Sequence, residues 1–133
     1  MIGSELFREV LSRPCGAPTV TAALSRPKPG ITVCTVTGAV NPDTTPILRK
    51  ALAEGWQDDN TLLVIDLSAV TSLDSVGLYT LLEARHKHRI NGGGHPAVVV
   101  AANSQAIPEL YIFVLQATFD LHYKLTEALH ACA

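Results

Sequence analysis

The feature that most constrains the fold is the stretch from residue 62 to residue 90, where an apolar run leads through polar residues into a segment of helical composition. Leu62–Asp66 is apolar and rich in β-formers, which predicts a strand covered on both faces, as in an α/β sheet. A short polar loop is expected next, followed by a helix from about Val76 to Ile90, because Tyr79–Ile90 has helical composition and no breaker. Asp74 and Ser75 therefore lie where the helix begins, and a serine in that place is ordinarily a cap.

The rest of the chain alternates between strand and helix patterns. Further strands are predicted at Thr19–Leu24, Ile31–Thr37, Ala97–Ala102 and Phe119–Leu125. Further helices are predicted over about residues 44–55, about residues 107–117, and Thr126–Ala131. The resulting order, β-β-α-β-α-β-α-β-α, predicts a single α/β domain with a mixed sheet of four to five strands and about four helices packed on it.

Helical spacing also predicts which side of each helix faces the core. The inner residues are expected to be Ile47, Leu48, Ala51 and Leu52 in the first helix, Leu78, Leu81 and Leu82 in the second, and Leu110, Phe113, Val114 and Ala117 in the third. Asp43 or Thr44 is the expected cap of the first helix, and Thr126 that of the last. Gly38 is expected to end the second strand, which the turn at Arg26–Gly30 joins to the first.

Composition narrows the class of function. A chain of 133 residues with 47% apolar content suits one domain with a real core. The net charge of −2 argues neither for nucleic acid nor for anionic membrane, both of which call for a basic patch, and neither is predicted as a partner. No apolar run is long enough to span a membrane and no secretory signal is recognised, so a cytoplasmic location is expected. Cys15, Cys34 and Cys132 have no paired spacing and are expected to be buried or incidental thiols.

Residues 1–17 are predicted to be an appendage to a domain at residues 18–133. Within Ser4–Ser12 the apolar residues at helical spacing are Leu6, Phe7, Val10 and Leu11. Breakers follow at Pro14, Gly16 and Pro18. Three roles stay open for this appendage: it packs on the domain, it forms part of a homodimer contact, or it is loose.

Catalytic and metal chemistry find little support in the sequence. A hydrolase-type turn around Ser75 would need Gly-x-Ser-x-Gly, and the upstream position is Leu73. The five histidines are His86, His88, His95, His122 and His130. A lone histidine is usually a surface or core residue, and the two nearest in sequence do not share a helix face. No catalytic residue, cofactor or metal is therefore predicted, and the run Arg85–Arg89 is read as a solvated helix end.

Ser75 is better placed for a charge switch. A phosphate on its hydroxyl would lie at a helix N-terminus, whose partial positive charge stabilises an anion. It would bring up to two negative charges beside the Asp74 carboxylate. If Val76 and Leu78 contact a partner, that charge would have to lose water when the partner docks, so modification would turn binding off.

The runs Asp66–Val70 and Leu73–Leu78 resemble the signature of STAS domains, and within them the anti-sigma-factor antagonists. The resemblance covers about Thr19 to His130 and implies a single STAS-type domain. It also implies that Ser75, directly after the aspartate, is the phosphorylation site. The implied partner is an ATP-binding anti-sigma factor that is also a serine kinase, and a serine phosphatase would reverse the modification. The predicted partner-binding residues are Asn41, Asp43, Asp74, Ser75, Val76, Gly77 and Leu78.

The chain departs from the family pattern at three places. Val76 replaces a small hydroxyl residue, and Ala39 and Asn41 stand where the family has Glu and Asp. Ala39 and Asn41 favour a second hypothesis, a STAS scaffold or signalling domain whose Ser75 is unused or serves a different kinase. A third hypothesis, a small enzyme with Ser75 as nucleophile, has the least support.

Overall fold

The computed structural model describes residues 20–55, 62–90, 96–102 and 105–131. The strands are β1 (Val20–Lys28), β2 (Ile31–Val40), β3 (Leu62–Leu73), β4 (Ala97–Val99) and β5 (Asp120–His122). The helices are α1 (Thr45–Gly55), α2 (Ser75–Ile90), α3 (Glu109–Thr118) and α4 (Leu125–Ala131). The predicted order of elements and the α/β class are confirmed. The predicted appendage at residues 1–17 lies outside the described residues.

The five strands form one mixed sheet in the order β1-β2-β3-β4-β5. Gly30, with φ of 81°, makes the turn between β1 and β2, which pair antiparallel as predicted. The β2–β3, β3–β4 and β4–β5 pairs are parallel. Because each parallel connection carries a helix, the carboxyl ends of β2, β3 and β4 lead towards the N-termini of α1, α2 and α3 at one edge of the sheet.

Helices cover both faces of the sheet. Leu52 of α1, Leu81 of α2 and Leu115 of α3 belong to one buried cluster with the side chains of one sheet face. Ala128 of α4 belongs to a second, smaller cluster on the other face. The three helices α1, α2 and α3 therefore form one layer, and α4 lies across the sheet from them.

The polar stretch after the central strand is not a loop, contrary to the prediction. β3 continues to Leu73 and carries two more residues than β2 between the pairs Ile31–Leu62 and Val40–Leu73. The Asp66 carboxylate accepts the backbone N–H of Ser68 at 3.0 Å and its hydroxyl at 2.7 Å, at one of the two bulges that absorb these extra residues. The pairing with β2 thus keeps polar residues in strand conformation where hydropathy alone predicts a loop.

Four predictions about the limits of single elements need correction. Gly38, with φ of 102°, lies inside β2 rather than at its end. Thr126 lies within α4, which begins at Leu125 and is not capped by that threonine. The predicted strand Ala97–Ala102 is shorter, although the Val100 N–H still donates to the His122 carbonyl at 3.0 Å. β5 pairs at the sheet edge as predicted but is shorter than expected.

The inner faces of α1 and α2 follow the prediction with one exception. Ile47 is 37% exposed, although the other expected inner residues of these helices are buried or pack against the core. In α3 the predicted stripe is wrong except at Val114. Leu110 and Phe113 are each 70% exposed and Ala117 is exposed, whereas Val114 packs against the core together with Tyr111, Ile112 and Leu115. No helix in the described ranges is both long and apolar enough to cross a membrane.

Candidate partner-binding site

The candidate site lies where β2 and β3 end together. Val40 and Leu73 are the last residues of these strands and are paired with one another. The Asp74 N–H donates to the Val40 carbonyl at 3.1 Å, which extends the pairing by one step. Asn41 and Asp74, the first residues after the two strands, are therefore brought side by side.

Asn41 organises the turn from β2 into α1. Its side-chain oxygen accepts the N–H groups of Asp43 at 2.9 Å and Thr44 at 3.1 Å. Its carbonyl accepts the N–H of Thr45 at 2.8 Å and the hydroxyl of that residue at 2.6 Å. The predicted side-chain cap from Asp43 or Thr44 is wrong, because neither side chain accepts an N–H of α1. The Thr44 hydroxyl instead accepts the Asn41 N–H at 2.9 Å and donates to the Ala39 carbonyl at 2.7 Å.

Asp43 is exposed at the same end of the sheet. Asn41 is half-buried, and its side-chain oxygen is occupied by the turn. A role for either residue in contacting a partner stays a prediction. The structure does show that Asn41 has a local task that a family aspartate could also perform, since both side chains carry an acceptor oxygen at that position.

Asp74, not Ser75, caps α2. One Asp74 carboxylate oxygen accepts the Gly77 N–H at 2.8 Å, and the Asp74 carbonyl accepts the Leu78 N–H at 3.0 Å. Ser75 is the first residue of α2 and is exposed. Its hydroxyl makes no hydrogen bond to any group in the described part of the chain. The expected capping role of Ser75 is thus taken by its neighbour, and this leaves the serine oxygen accessible.

Gly77 and Leu78 support the site from beneath. Both are buried, so they lie under the exposed first turn rather than on its surface. A Cβ at Gly77 would lie 2.5 Å from Val40 Cγ1 and 2.7 Å from Leu73 Cδ1. Only glycine allows α2 to start this close to the strand ends, and this close approach fixes where Ser75 is presented.

The start of α2 is also tied to α1. The Thr80 hydroxyl donates to the Val76 carbonyl at 2.9 Å, and an Arg49 guanidinium nitrogen lies 3.5 Å from that hydroxyl. Arg49 Nε lies 3.5 Å from a Glu83 carboxylate oxygen, with both side chains partly exposed. Such a surface pair adds little stability, but it orients α1 and α2 with respect to each other.

Exposed apolar side chains lie in the first turns of α2 and α3. Val76 is 40% exposed and Tyr79 is 63% exposed, as the second and fifth residues of α2. Leu110 and Phe113 are the second and fifth residues of α3. Because α2 and α3 start at the same edge and pack on the same sheet face, these four side chains lie at one end of one helical layer. We call them the α2–α3 surface.

Sequence reasoning missed most of this surface. It identified Val76 from its place beside the serine but assigned Leu110 and Phe113 to the core. The signal that could have found them is that α3 has apolar residues on more than one side, as its sequence ELYIFVLQAT shows. A helix that is apolar nearly all round must expose some of those residues unless it is buried on all sides.

The basic run at the other end of α2 is not uniformly solvated, contrary to the prediction. His86 and Lys87 are exposed, but His88 is only 2% exposed and its Nε2 has no hydrogen-bond partner. Burial lowers the pKa of His88 below its ordinary value. No group of three or more His, Cys, Asp or Glu residues in the described ranges is arranged to hold a metal ion.

Comparison with known proteins gives a consistent result. The model of the STAS domain family matches residues 23–128. The anti-sigma-F factor antagonist RsfB of Mycobacterium tuberculosis is 36% identical over 100 residues, which cover 75% of this chain and 80% of that protein.

Solved structures show the same fold. The crystal structure of an anti-sigma factor antagonist from Mycobacterium paratuberculosis has a TM-score of 0.72 at 32% identity, covering 84% of this chain and 92% of that one. The anti-sigma factor antagonist SpoIIAA in its unphosphorylated form has a TM-score of 0.61 at 11% identity, covering 84% of this chain and 96% of that one. At that identity the second likeness concerns the fold alone. The resemblance read from Asp66–Val70 and Leu73–Leu78 is confirmed, and the chain belongs to the STAS domain family.

Proposed function

We propose that this chain is an anti-sigma factor antagonist, a binding module that holds an anti-sigma factor of the serine-kinase type while Ser75 is unmodified. The main support is the accessible Ser75 hydroxyl at the start of α2, next to exposed apolar side chains and excluded from the capping role by Asp74. The names of the mycobacterial relatives support an anti-sigma factor as the partner. Release of a sigma factor would follow from capture of its inhibitor.

The α2–α3 surface suits a protein partner. Aromatic and aliphatic side chains that stand out from a rigid element are typical anchors of protein interfaces. Tyr79, Leu110 and Phe113 are each more than half exposed, and the helices that carry them are fixed to the sheet by buried residues. Asn41 and Asp43 would form the polar rim of this interface beside Asp74.

Phosphorylation would act on this interface through charge. The Ser75 oxygen attacks the γ-phosphorus of ATP, ADP leaves, and the hydroxyl proton passes to a base on the kinase. The product carries about −1.5 to −2 charge at pH 7. Asp74 already occupies the Gly77 N–H, so the phosphate would face outward beside a carboxylate. Docking the partner would then require desolvation of this charge next to Val76, which weakens binding.

A serine phosphatase would restore the binding form, and a cytoplasmic location would give the module access to ATP and to its partner. The function proposed for the chain is regulatory binding rather than catalysis, in agreement with the names of its relatives. In this proposal the partner kinase catalyses the phosphate transfer, and Ser75 is its substrate.

A second candidate is a STAS signalling domain whose Ser75 serves a different kinase or none. The residues that favour it are Ala39 and Asn41, which carry no charge where the family has acidic residues. Ala39 is 7% exposed and its carbonyl accepts the Thr44 hydroxyl, so the chain presents no acidic side chain at that point. The first acidic residues after the two strand ends are Asp43 and Asp74, and a kinase that reads the family's acids would have to use these instead.

One experiment separates the two candidates. The protein is incubated with ATP and a purified kinase-type anti-sigma factor from the same organism, and any phosphate is located by mass spectrometry. We expect modification of Ser75, no modification in Ser75→Ala, and normal modification in the matched control Ser72→Ala, which removes another exposed serine. Tight binding without phosphate transfer would instead support the second candidate.

A further inference from the structure

The outer edge of β1 is a long sheet edge that no other strand in the described ranges pairs with. β1 has nine residues, whereas β5 at the opposite edge of the sheet has three. In an antiparallel ladder every second residue points its N–H and C=O away from the partner strand, so β1 carries a row of backbone groups on its outer side. Such an edge is a template for another strand, and natural proteins usually protect it.

The protection on β1 is confined to the end of the strand. Arg26, Pro27 and Lys28 are exposed, and the ladder with β2 is bulged between Ser25 and Lys28. Charge, proline and a bulge are three devices that block the addition of a strand to an edge. The six residues 20–25 carry none of the three. The part of the edge that can accept a strand is therefore short and uncharged.

A second copy of β1 fits this part of the edge when the two strands are antiparallel. A parallel copy would bring the two exposed ends with Arg26 and Lys28 together, whereas an antiparallel copy keeps these like charges apart. Antiparallel pairing of two identical edges is an isologous contact around a two-fold axis perpendicular to the sheet. This axis keeps the helical layers of both copies on one side, so the two sheets continue into one another.

The side chains select one register for this pairing. Residues that lie opposite each other in an antiparallel ladder point to the same face of the sheet. With Ala22 opposite itself, Val20 lies opposite Leu24 of the second copy, on the face where these apolar residues pack against the helices. A shift that placed Ala23 opposite itself would instead set the charged Arg26 against Val20, which is 5% exposed.

We infer that the protein forms a weak homodimer in which β1 pairs antiparallel with β1 of a second copy, centred on Ala22. The ladder contains residues 20–24 of each copy. A contact of this size is smaller than the about 20–30 residues a side of a standard interface, so we expect a dissociation constant of about 0.1–1 mM. The edge of β1 is separated by β2 from the end of β3 that leads into Ser75, so both serines stay open in the dimer.

Cysteine cross-linking tests the register. Directly opposite Cβ atoms lie about 4.5–5.5 Å apart, which small adjustments bring into disulfide range, whereas diagonal neighbours are about 7 Å apart. Ala22→Cys is made in a background of Cys15→Ser and Cys132→Ser, and Ala23→Cys in the same background is the matched control. Cys34 is fully buried, and burial raises the pKa of its thiol to about 12, so it does not react.

Both variants are oxidised in air with copper phenanthroline, at a protein concentration near the dissociation constant. We expect the disulfide dimer of Ala22→Cys to form at least about tenfold faster than that of Ala23→Cys, because only Ala22 lies opposite itself. Random collision predicts the reverse order, since Ala23 is exposed and Ala22 is half-buried.

Sedimentation equilibrium measures the dissociation constant without a cross-link. In the proposed register Thr21 lies opposite Ala23 of the second copy, and both are exposed. Thr21→Lys with Ala23→Lys therefore sets two pairs of like charges against each other and should weaken the dimer at least about fivefold. The control Thr37→Lys with Thr71→Lys adds the same charge at exposed positions of β2 and β3, and should leave the dissociation constant unchanged.

Three results would overturn the inference. The first is a protein that stays monomeric at several times about 1 mM, which would mean that the edge of β1 is blocked within the monomer. The second is cross-linking of Ala23→Cys as fast as that of Ala22→Cys, and the third is wild-type dimerisation of the variant with lysines at positions 21 and 23. None of these measurements involves ATP, a kinase or an anti-sigma factor, so a failure here is distinct from a failure of the proposed function.

Discussion

Replacing Gly77 by alanine should destabilise the protein measurably, although alanine ordinarily favours a helix over glycine. The new Cβ would lie 2.5 Å from Val40 Cγ1 and 2.7 Å from Leu73 Cδ1. Carbon atoms in contact normally lie about 3.5–4.0 Å apart, so each contact overlaps by roughly 1 Å. Val40 and Leu73 are 1% and 4% exposed, so neither side chain can move into solvent without leaving the core.

The magnitude follows from two opposing terms. Overpacking in a well-packed core lowers the free energy of unfolding by about 1–3 kcal/mol. The gain in helix propensity on going from glycine to alanine is at most about 1 kcal/mol and is smaller in the first turn. We expect a net loss of about 1–2 kcal/mol, and with a urea m-value of about 2 kcal/mol/M the denaturation midpoint should fall by about 0.5–1 M.

Gly55→Ala is the matched control. Its Cβ would meet the flexible side-chain ends of Leu63 at 3.2 Å and Leu24 at 3.5 Å, which are contacts that small rotations can relieve. We expect the free energy of unfolding of this variant to stay within about 0.5 kcal/mol of the wild type. If Gly77→Ala were as stable as Gly55→Ala, the close approach of α2 to the strand ends would not constrain the site as argued.

Three further predictions concern charge, contact and pH. Ser75→Asp should weaken binding of the proposed anti-sigma factor by more than about 1 kcal/mol, through repulsion and desolvation beside Asp74, and wild-type affinity in titration calorimetry would place Ser75 outside the contact. Phe113→Ser should weaken the same binding while leaving the urea midpoint nearly unchanged, because the side chain is 70% exposed; a large loss of stability would show that it packs in the core. Because the pKa of His88 is lowered by burial, the folded state binds fewer protons than the unfolded state. The free energy of unfolding should therefore be at its maximum above about pH 6.5 and decrease as the pH drops below that value. Urea titrations of His88→Gln should lose this pH dependence, whereas His86→Gln, at an exposed position, should retain it.

Much of the fold could be predicted because the deciding signals are local. The apolar run at Leu62–Asp66, the alternation at Ile31–Thr37 and the glycine turn at Gly30 each specify an element from its own residues. The inner faces of α1 and α2 follow from spacing, because the leucines and alanines of each helix recur on one side, with Ile47 as the one exception. The element order and the sheet class then follow from alternation of strands and helices.

What could not be predicted depends on neighbours that are distant in sequence. β3 extends past Asp66 because β2 offers a partner as far as Val40, and two bulges let polar residues stay in the strand. Asp74 becomes the cap because its N–H donates to the Val40 carbonyl, so that the strand pairing reaches Asp74 and α2 begins at the next residue, Ser75. The local propensities for the alternative ends of β3 and starts of α2 are similar, so tertiary contacts determine which one forms.

The inversion of α3 has the greatest bearing on function. The sequence of α3 contains two apolar stripes. The stripe of Tyr111, Ile112 and Leu115 packs on the sheet, and Leu110 and Phe113 are therefore exposed to solvent. A helix with a polar outer face would have been easier to assign and would have served stability equally well. An apolar outer face is unfavourable in an isolated domain, because it promotes aggregation. Its position at the same end of the helical layer as Val76 and Tyr79 supports the proposal that a protein partner docks at this end, where Ser75 is exposed.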